Sequence, residues 1–236
     1  MTYFLEKIPR LSPDMKMADL VNGGTAFLTV VHRFGIPFGF GEKTVEECCR
    51  EQGRDAFTLL SVAGLYFSPF HEIQEKTLAK LHLKDIEFFL ERSHESYRNE
   101  WIPNIAAGLD RSMAGRDENK KKIIDKFFSD FKEELEGHVK FEETKLYPLL
   151  EAFAEGKKPQ GRVRLVKEHD NIVNKIQDLI NIVMKYLPSD GKGDASMSWI
   201  LLHLSTLRED LERHSNLEDM LILPLLKGRL AGKENE

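Results

Sequence analysis

The feature that most constrains the fold is a helical apolar period that extends over four long segments of the chain. Apolar residues recur every three or four positions over about residues 77–111, 117–153, 163–186 and 196–226, and short polar breaks such as LPSDGKG separate the segments. A period of 3.6 residues places the apolar residues of each segment on one face of an α-helix. No strand-like alternation of useful length is present. The sequence therefore predicts an all-α protein built on an antiparallel up-down-up-down four-helix bundle.

The first 70 or so residues have a different composition. They are rich in Gly, Phe and Pro, as in GIPFGFGEKTV, and they indicate short helices over about residues 15–33 and 44–52 with a turn at Gly39-Phe40-Gly41. We therefore predict a small helical N-terminal domain over residues 1–70 and the four-helix bundle over residues 77–228. Pro103 lies inside the first long segment and predicts a bend there.

The predicted buried faces carry ionisable side chains among the apolar ones. They read Ile86, Leu90, His94, Tyr97 and Trp101; Phe127, Phe131, Leu135, His138, Glu142 and Leu146; Leu165, His169, Ile172, Ile176, Leu179 and Val183; and Ile200, Leu204, Leu207, Leu211, His214, Glu218 and Leu221. Each helix thus supplies one histidine, and two helices add a glutamate four residues later, one turn along the same face. Four imidazoles and two carboxylates are predicted to point toward the bundle axis.

Burial of these groups is unfavourable unless something compensates for it. An unsatisfied buried polar group costs roughly 1–3 kcal/mol, and an unpaired carboxylate costs more. Six such groups would exceed the total stability of a typical domain, about 5–15 kcal/mol. A bound metal resolves the difficulty because it uses the lone pairs of the imidazoles and carboxylates.

An internal repeat strengthens the metal hypothesis. ELEGHVKFEETKLYPLL (residues 134–150) aligns with DLERHSNLEDMLILPLL (residues 210–226), and both contain H-x3-E with a proline ten residues after the histidine. His94 precedes His138 by 44 residues, and His169 precedes His214 by 45. The chain thus contains two helical hairpins of the same design. Two equivalent half-sites facing each other indicate two metal ions.

The donor types narrow the choice of metal. Imidazole and carboxylate ligands without thiolate suit iron, manganese or zinc. If Glu142 and Glu218 both bridge, each ion receives two histidines and two carboxylate oxygens, with room for an oxo or hydroxo bridge and an outside ligand. Such a set suits a non-haem di-iron centre. The order His-x3-Glu differs from the Glu-x-x-His of ferritin-like bundles.

The pattern resembles the hemerythrin-like domain and, more closely, the Repair of Iron Centres family of di-iron proteins. The resemblance implies two iron ions, carboxylate-bridged and oxo-bridged, with ligands His94 (in SHESYRNEWIP), His138 and Glu142 (in HVKFEE), His169 (in KEHD), and His214 and Glu218 (in HSNLED). Oxygen-carrying hemerythrins use five histidines, whereas this chain has four at matching positions. The resemblance thus implies a more open and more reactive centre.

The N-terminal segment is similar to the small N-terminal domain of the same family. In that family a Cys-Cys pair follows an "RYGI-F" turn, but Gly39-Phe40-Gly41 occupies this position here. Cys48-Cys49 lies several residues later, within the next predicted helix, where we expect one buried and one half-exposed thiol. This departure weakens the case for thiols in cluster transfer.

Neighbouring residues are candidates for supporting roles. Glu134 and Asp210 lie one turn before His138 and His214, where a carboxylate can accept a hydrogen bond from a ligand imidazole. Glu168 precedes His169 and is a candidate for lining an access path. Glu143 and Asp219 follow the ligand glutamates and are expected to face solvent or form ion pairs. A tyrosine such as Tyr97 or Tyr147 could donate a hydrogen bond near the metals.

The resemblance implies a role in nitrosative and oxidative stress, in which the protein repairs damaged iron–sulfur clusters or supplies iron to them. Reduction of nitric oxide or peroxide at the centre is a candidate mechanism. The alternatives are a carrier or sensor of oxygen or nitric oxide, and an iron store, for which one two-metal site has little capacity. Iron–sulfur proteins are the expected clients, and dimerisation or partner docking is a candidate role for the small domain.

Charge and hydropathy exclude other partners. A net charge of −5 and a pI of about 6.0 argue against nucleic acid, which requires a clustered basic surface. No apolar run approaches the roughly 20 residues of a membrane-spanning helix. The N-terminus MTYFLEKIPRLSPD lacks the features of a signal peptide. We expect a cytoplasmic protein without membrane contact.

Overall fold

The protein is helical throughout the part of the chain that the computed structural model describes, residues 11–68, 75–115, 117–155, 157, 169–186 and 195–225. The α-helices are α1 (Met17–Asn22), α2 (Thr25–Arg33), α3 (Val45–Glu51), α4 (Ala56–Phe67), α5 (Glu75–Leu78), α6 (Leu83–Ser96), α7 (Ile102–Met113), α8 (Glu118–Phe141), α9 (Tyr147–Ala154), α10 (His169–Tyr186) and α11 (Ala195–Leu217). Within these residues no β-strand forms, and Lys16 and Thr44 make an isolated bridge. The predicted all-α helical bundle is confirmed.

The chain divides into two compact units that do not follow the order of the sequence. The first comprises Met1–Arg92, Leu149–Pro159 and Asn216–Glu236, and the second comprises Ser93–Pro148 and Gln160–Ser215. The predicted division of the chain into a domain of residues 1–70 and a bundle of residues 77–228 stays a prediction.

The first unit packs α1 to α4 around an aromatic core. Phe27 stacks on Phe67 with ring centroids 5.1 Å apart, and Phe89 of α6 contacts Phe34 at 5.4 Å and Tyr66 edge-on at 5.3 Å. All of these rings except Phe67 are fully buried. Because aromatic side chains bury a large apolar area, these contacts stabilise the first unit.

A buried carboxylate joins α6 to the turn before α4. Asp85, which is 1% exposed, accepts hydrogen bonds from the Arg54 guanidinium (3.0 Å) and the Asp55 backbone N–H (2.7 Å). Asp55 in turn caps α4 by accepting the Thr58 N–H at 2.7 Å. The charge of Asp85 is therefore balanced locally, and the contact is structural.

The N-terminal helices differ from the prediction in two places. The helix predicted over residues 15–33 is two helices, because Gly24 has a φ of 149° that side-chain-bearing residues rarely adopt. Helix α4 was not predicted, because AFTLLSVAGLYF is apolar on most sides and carries no amphipathic period. The sequence period reveals only those helices that keep one face in water.

Both cysteines lie in α3 and both are buried, at 4% and 1% exposed for Cys48 and Cys49, so the prediction of one half-exposed thiol was wrong. Burial raises the pKa of the Cys49 thiol to about 12, and burial also raises that of Cys48. Both thiols are therefore protonated near neutral pH, which makes them poor nucleophiles and metal ligands.

The second unit has a continuous apolar core contributed by α7, α8, α10 and α11. Ile105, Phe131, Ile176 and Leu204 are fully buried at its centre. Phe127 was predicted to be on this face but is 36% exposed, and Phe128 packs against the core instead. The stripe on α8 thus passes through residues 124, 128, 131 and 135, so the prediction was right at residues 131 and 135 and off by one position at residue 127. Leu165 lies outside the described residues.

No helix among the described residues has both the length and the apolar character needed to cross a bilayer.

A raised carboxyl pKa in the first unit gives a pH-dependent prediction. Burial, with help from Glu91 and Glu151, raises the pKa of Glu87 from 4.5 to about 7. The folded state therefore keeps this proton to higher pH than the unfolded chain, so the contribution of Glu87 to stability is complete below about pH 4.5 and is lost as the pH rises through 7. We expect Glu87→Gln to leave the Tm of metal-free protein unchanged near pH 4.5 and to raise it by roughly 2–4 °C at pH 8. Thermal unfolding at both pH values checks this, and an equal shift at both would contradict it.

Candidate metal centre

Three π-helical segments interrupt the helices that carry candidate ligands. They run over Tyr97–Trp101, Glu142–Leu146 and Glu218–Ile222, and each ends two residues before a proline: Pro103, Pro148 and Pro224. Proline has no N–H donor, and its ring collides with the carbonyl four residues earlier. In all three cases that carbonyl lies at the centre of the π-helical segment. A locally wider turn therefore accommodates each proline without breaking the helix.

The sequence repeat thus has a structural counterpart. The second and third π-helical segments begin at Glu142 and Glu218, each one turn after the histidine of its H-x3-E motif. Proline at the same distance from each histidine produces the same local geometry twice. π-helical turns are frequent at functional sites, where they change the direction of side chains.

Within the second unit, His94 of α6, His214 of α11 and Glu142 converge on one point. Their exposed fractions are 0%, 2% and 1%. One ligand atom from each lies within 4.8 Å of the others. Atoms that share an ion at about 2 Å are separated by distances of this order. These three residues could therefore hold a metal ion, and their role as ligands stays a prediction.

Glu142 directs its two carboxylate oxygens to different histidines. Oε2 lies 3.1 Å from Nε2 of His94 and 4.0 Å from Nε2 of His214. Oε1 lies 2.6 Å from Nε2 of His138, one turn earlier in the same helix. A carboxylate with one oxygen toward each of two groups of imidazoles has the geometry that a bridge between two ions needs.

The surroundings of His94 fix which of its nitrogens presents a lone pair. Nδ1 lies 3.2 Å from a carboxylate oxygen of Glu143, which can only accept when ionised. Nδ1 therefore carries the proton and donates it, and Nε2 faces the Glu142 carboxylate. Two lone-pair donors in contact inside a protein repel each other unless a proton or a metal ion lies between them. The chemistry of the donor set thus fits a cation.

The Glu143 carboxylate is itself held by Arg98. Nη1 of Arg98 donates to Oε1 at 2.7 Å and Nη2 donates to Oε2 at 3.0 Å. The hydrogen bond from His94 is the largest influence on Glu143 and, with the bonds from Arg98, lowers the pKa of this carboxyl to about 2. Glu143 is thus ionised at physiological pH and remains an acceptor for His94.

Two tyrosines contact the candidate ligands. The Tyr147 hydroxyl is 3.1 Å from Nε2 of His94, and its ring stacks on that imidazole at 5.4 Å. Tyr97 meets the His214 ring edge-on at 5.7 Å and lies 6.4 Å from the His94 ring. Tyr97 therefore packs against two ligand candidates, while Tyr147 places an O–H group beside the point where they converge.

Three further ligands were predicted, and they are His138, Glu218 and His169. His138 is 8% exposed and contacts Glu142 as stated above. Glu218 is fully buried, one turn after His214 along a continuous helix, but belongs to the first unit, so its part in the same centre stays a prediction. His169 begins α10, and its side chain lies outside the described residues. Its role also stays a prediction.

The supporting carboxylates have mixed outcomes. Glu134 accepts hydrogen bonds from Lys175 at 2.7 Å and Asn171 at 3.2 Å, so it ties α8 to α10, and its role beside His138 stays a prediction. Asp210 is buried, at 5% exposed, one turn before His214, and its role stays a prediction. Glu168 lies outside the described residues.

A polar cavity reaches His138 from the surface of the second unit. It has a volume of about 410 Å³ and is lined by Asp130, Glu133, Glu134, Gly137, His138 and Lys175. His94 does not line this cavity and is fully buried. The histidines on the two sides of Glu142 therefore differ in access.

The contact of Glu143 with His94 and the position of Arg98 were not predicted. Glu143 was expected only to face solvent or form ion pairs, and it does pair with Arg98, but it also contacts His94. Arg98 lies one turn after His94, an i, i+4 relation in the sequence that would have flagged it. Residues near Glu143 in the sequence do not indicate that its side chain reaches His94 on α6.

A helical bundle that brings buried imidazoles and a carboxylate together defines a class of metal-binding helical proteins. Comparison with known families agrees, since the hemerythrin HHE cation binding domain matches residues 90–234, more than half of the chain. The protein belongs to this hemerythrin family of cation-binding domains. No curated protein and no solved structure matches the chain.

Proposed function

We propose that the protein holds two non-haem iron ions and acts in the response to nitrosative and oxidative stress by repairing damaged iron–sulfur clusters or supplying iron to them. The observation that carries the proposal is the position of Glu142 between His138 on one side and His94 with His214 on the other. Iron in such a centre supplies one-electron Fe(II)/Fe(III) chemistry and open coordination positions.

Each residue has a distinct part in this proposal. His94, His214 and Glu142 would hold one ion, and His138 with Glu142 would hold the other. By the symmetry of the repeat, His169 and Glu218 complete the set. The Glu142 carboxylate also offsets part of the positive charge, which matters in a low-dielectric interior.

Iron is proposed because of the donor set. Nitrogen and oxygen donors without thiolate favour iron, manganese or zinc over copper(I) and iron–sulfur clusters. A carboxylate bridge suits a pair of ions that change oxidation state. The resemblance to the Repair of Iron Centres family adds the choice of iron and the link with cluster repair.

Iron donation requires an ion that can leave. The polar cavity beside His138 supports this requirement, because it gives the ion a route to solvent lined by Glu133 and by Asp130 and Glu134, which pair with Lys126 and Lys175. The ion at His138 is therefore the proposed source of donated iron, and the ion at His94 is the one retained.

The Tyr147 hydroxyl favours a second candidate function, reversible binding of oxygen or nitric oxide by a carrier or sensor. Its O–H group lies 3.1 Å from Nε2 of His94, where it can donate a hydrogen bond to a small ligand at the centre. Stabilisation of a bound diatomic ligand by such a donor is the chemistry that a carrier needs. Under the first candidate the same donor assists reduction of nitric oxide or peroxide.

The partners follow from the proposed function. We propose cytoplasmic iron–sulfur proteins as clients and oxygen, nitric oxide and peroxide as small ligands. No role for nucleic acid or a membrane is included, and the small N-terminal helices are proposed for docking of clients or of a second copy.

A two-part experiment separates the candidates. Protein loaded anaerobically with ferrous iron is first analysed for metal, with about two irons per chain expected. It is then incubated with a [4Fe–4S] dehydratase inactivated by nitric oxide, against metal-free protein and an equal amount of free ferrous salt. Recovery of dehydratase activity above both controls supports repair. A reversible oxygenated absorption band without recovery supports the carrier, and a chain that binds no iron refutes both.

A further inference from the structure

A chain of hydrogen bonds fastens His94 from the side opposite the metal position. Glu143 contacts Nδ1 of His94 at 3.2 Å, and Arg98 holds both oxygens of Glu143 at 2.7 and 3.0 Å. Arg98 also donates from Nε and Nη2 to the two oxygens of Glu136, each at 3.1 Å. Four N–H···O contacts thus fix the guanidinium between two carboxylates of the second unit.

The first link determines the form of the His94 imidazole. A carboxylate accepts and cannot donate, so contact with Glu143 selects the tautomer with the proton on Nδ1. The Nε2 lone pair then faces Glu142 and His214. Without Glu143, a neutral imidazole could place its proton on either nitrogen, and only one of the two forms binds metal through Nε2.

The second link determines the position of Glu143. Its side chain is 33% exposed, so solvent alone would leave several rotamers accessible. A bidentate guanidinium pair restricts these rotamers more than a single ammonium contact does. Arg98 is one turn from His94 on the same helix, and the π-helical turn beginning at Tyr97 carries it. The same local backbone thus supports both the ligand and the residue that orients its partner.

We propose that Arg98 and Glu143 are positioning residues that hold His94 as an Nε2 metal ligand and thereby set the metal affinity at the His94–His214 position. The inference rests on the proposed metal centre but not on iron or on cluster repair. Of the two proposed metal positions, the one at His94 and His214, away from the polar cavity, is then expected to bind metal more tightly.

The first test uses metal-free protein. Long-range ¹H–¹⁵N NMR distinguishes the two imidazole tautomers, and a His94→Gln variant assigns the His94 signals. Wild-type protein should show a proton on Nδ1 of His94 near pH 7.5, whatever the state of Nε2, which faces the Glu142 carboxylate. Glu143→Gln, which keeps the shape but offers both a donor and an acceptor, should show a mixture of tautomers. An unchanged tautomer in Glu143→Gln would overturn the proposal.

The second test measures affinity with Co²⁺ as the metal probe. Competition with a chelator, followed by the ligand-field absorption of Co²⁺, should give binding weaker by about 10–100-fold in Glu143→Gln. Arg98→Met should also lose at least about tenfold, and Arg98→Lys should lie between Arg98→Met and wild type. A loss below about tenfold in Glu143→Gln would overturn the proposal.

A matched arginine controls for loss of an ion pair alone. Arg208 pairs with Glu212 at 3.7 Å on α11, and its side chain is 29% exposed against 33% for Arg98. Arg208→Met should keep wild-type Co²⁺ affinity. Equal losses in Arg98→Met and Arg208→Met would overturn the role of Arg98, and if Arg98→Met does not fold, Arg98→Lys carries the comparison. Because the NMR test needs no metal, a wild-type chain that fails to repair clusters would refute the proposed function and leave this inference standing.

Discussion

Replacement of Glu142 by alanine is expected to reduce bound metal from about two ions per chain to less than one. Its two carboxylate oxygens face His138 on one side and His94 with His214 on the other, so both of the proposed ions would lose a ligand at once. Loss of any one histidine removes a ligand from one ion only. We therefore expect His138→Ala to retain about one ion, and the loss in Glu142→Ala to be the larger. Elemental analysis after loading with excess ferrous iron under anaerobic conditions measures this.

A surface glutamate provides the control for that comparison. Glu209 lies on α11 with its side chain 50% exposed, and Arg213 is 3.5 Å from its carboxylate. Glu209→Ala should retain the wild-type metal content, because exposed ion pairs contribute little. Full metal content in Glu142→Ala would remove the bridging role, and equal losses in Glu142→Ala and His138→Ala would show that Glu142 serves one ion only.

The helices of the second unit were readable from sequence because each keeps one face in water. The fourth segment was predicted over residues 196–226, and α11 followed by its π-helical segment runs from Ala195 to Ile222. Helix α4 was not readable, because a helix buried on most sides has no polar face to define a period. The apolar period thus predicts a helix when only one face of that helix is buried.

Pro103, Pro148 and Pro224 all affect the helix geometry, but an effect was predicted from the sequence only for Pro103. A bend was predicted at Pro103, whereas the structure accommodates all three prolines with π-helical turns. The repeat contains Pro148 and Pro224 at the same distance from their histidines, so one physical cause acts twice. Proline inside a long amphipathic segment next to candidate ligands therefore predicts a widened turn as well as a kink.

The repeat predicted that histidines and glutamates of both hairpins face one another, but not which of them would contact each other. The i, i+4 relation between His138 and Glu142 follows from the sequence, and the structure retains it. The contact of His94 with His214, one from each hairpin, comes from packing between helices, which no local pattern encodes. For the same reason Glu143 was expected only to face solvent or pair, whereas it reaches His94 across helices.

A second large effect is expected from His214→Leu, and its sign should depend on metal. His214 is 2% exposed and packs against His94 at 5.2 Å and Tyr97 at 5.7 Å between ring centroids. Leucine has a similar volume and removes one buried polar side chain from the cluster. In metal-free protein Glu142 keeps its contacts with His94 and His138, so we expect the Tm to be unchanged or raised by up to about 3 °C.

The metal-loaded protein should respond in the opposite direction. A ligand present at 1,000 times its Kd adds about 4 kcal/mol to the free energy of unfolding. For a chain of this size that corresponds to about 8–16 °C in Tm, which His214→Leu should largely lose at the affected position. Thermal unfolding of both proteins, each with and without ferrous iron under anaerobic conditions, measures the four values needed.

A histidine away from the site separates metal binding from ordinary packing. His203 lies on the same helix α11, is half-buried, stacks on Trp199 at 3.7 Å and contacts the Trp199 carbonyl through Nδ1 at 2.8 Å. His203→Leu should shift the Tm by the same amount with and without metal, because the change removes a local contact in both states. If the Tm change caused by the leucine substitution reverses sign on metal binding at His214 but not at His203, the buried imidazole of His214 stabilises the protein only through the bound cation. The same shift in both metal states at His214 would instead make this imidazole a core residue, and the centre would have to be built from the other ligands.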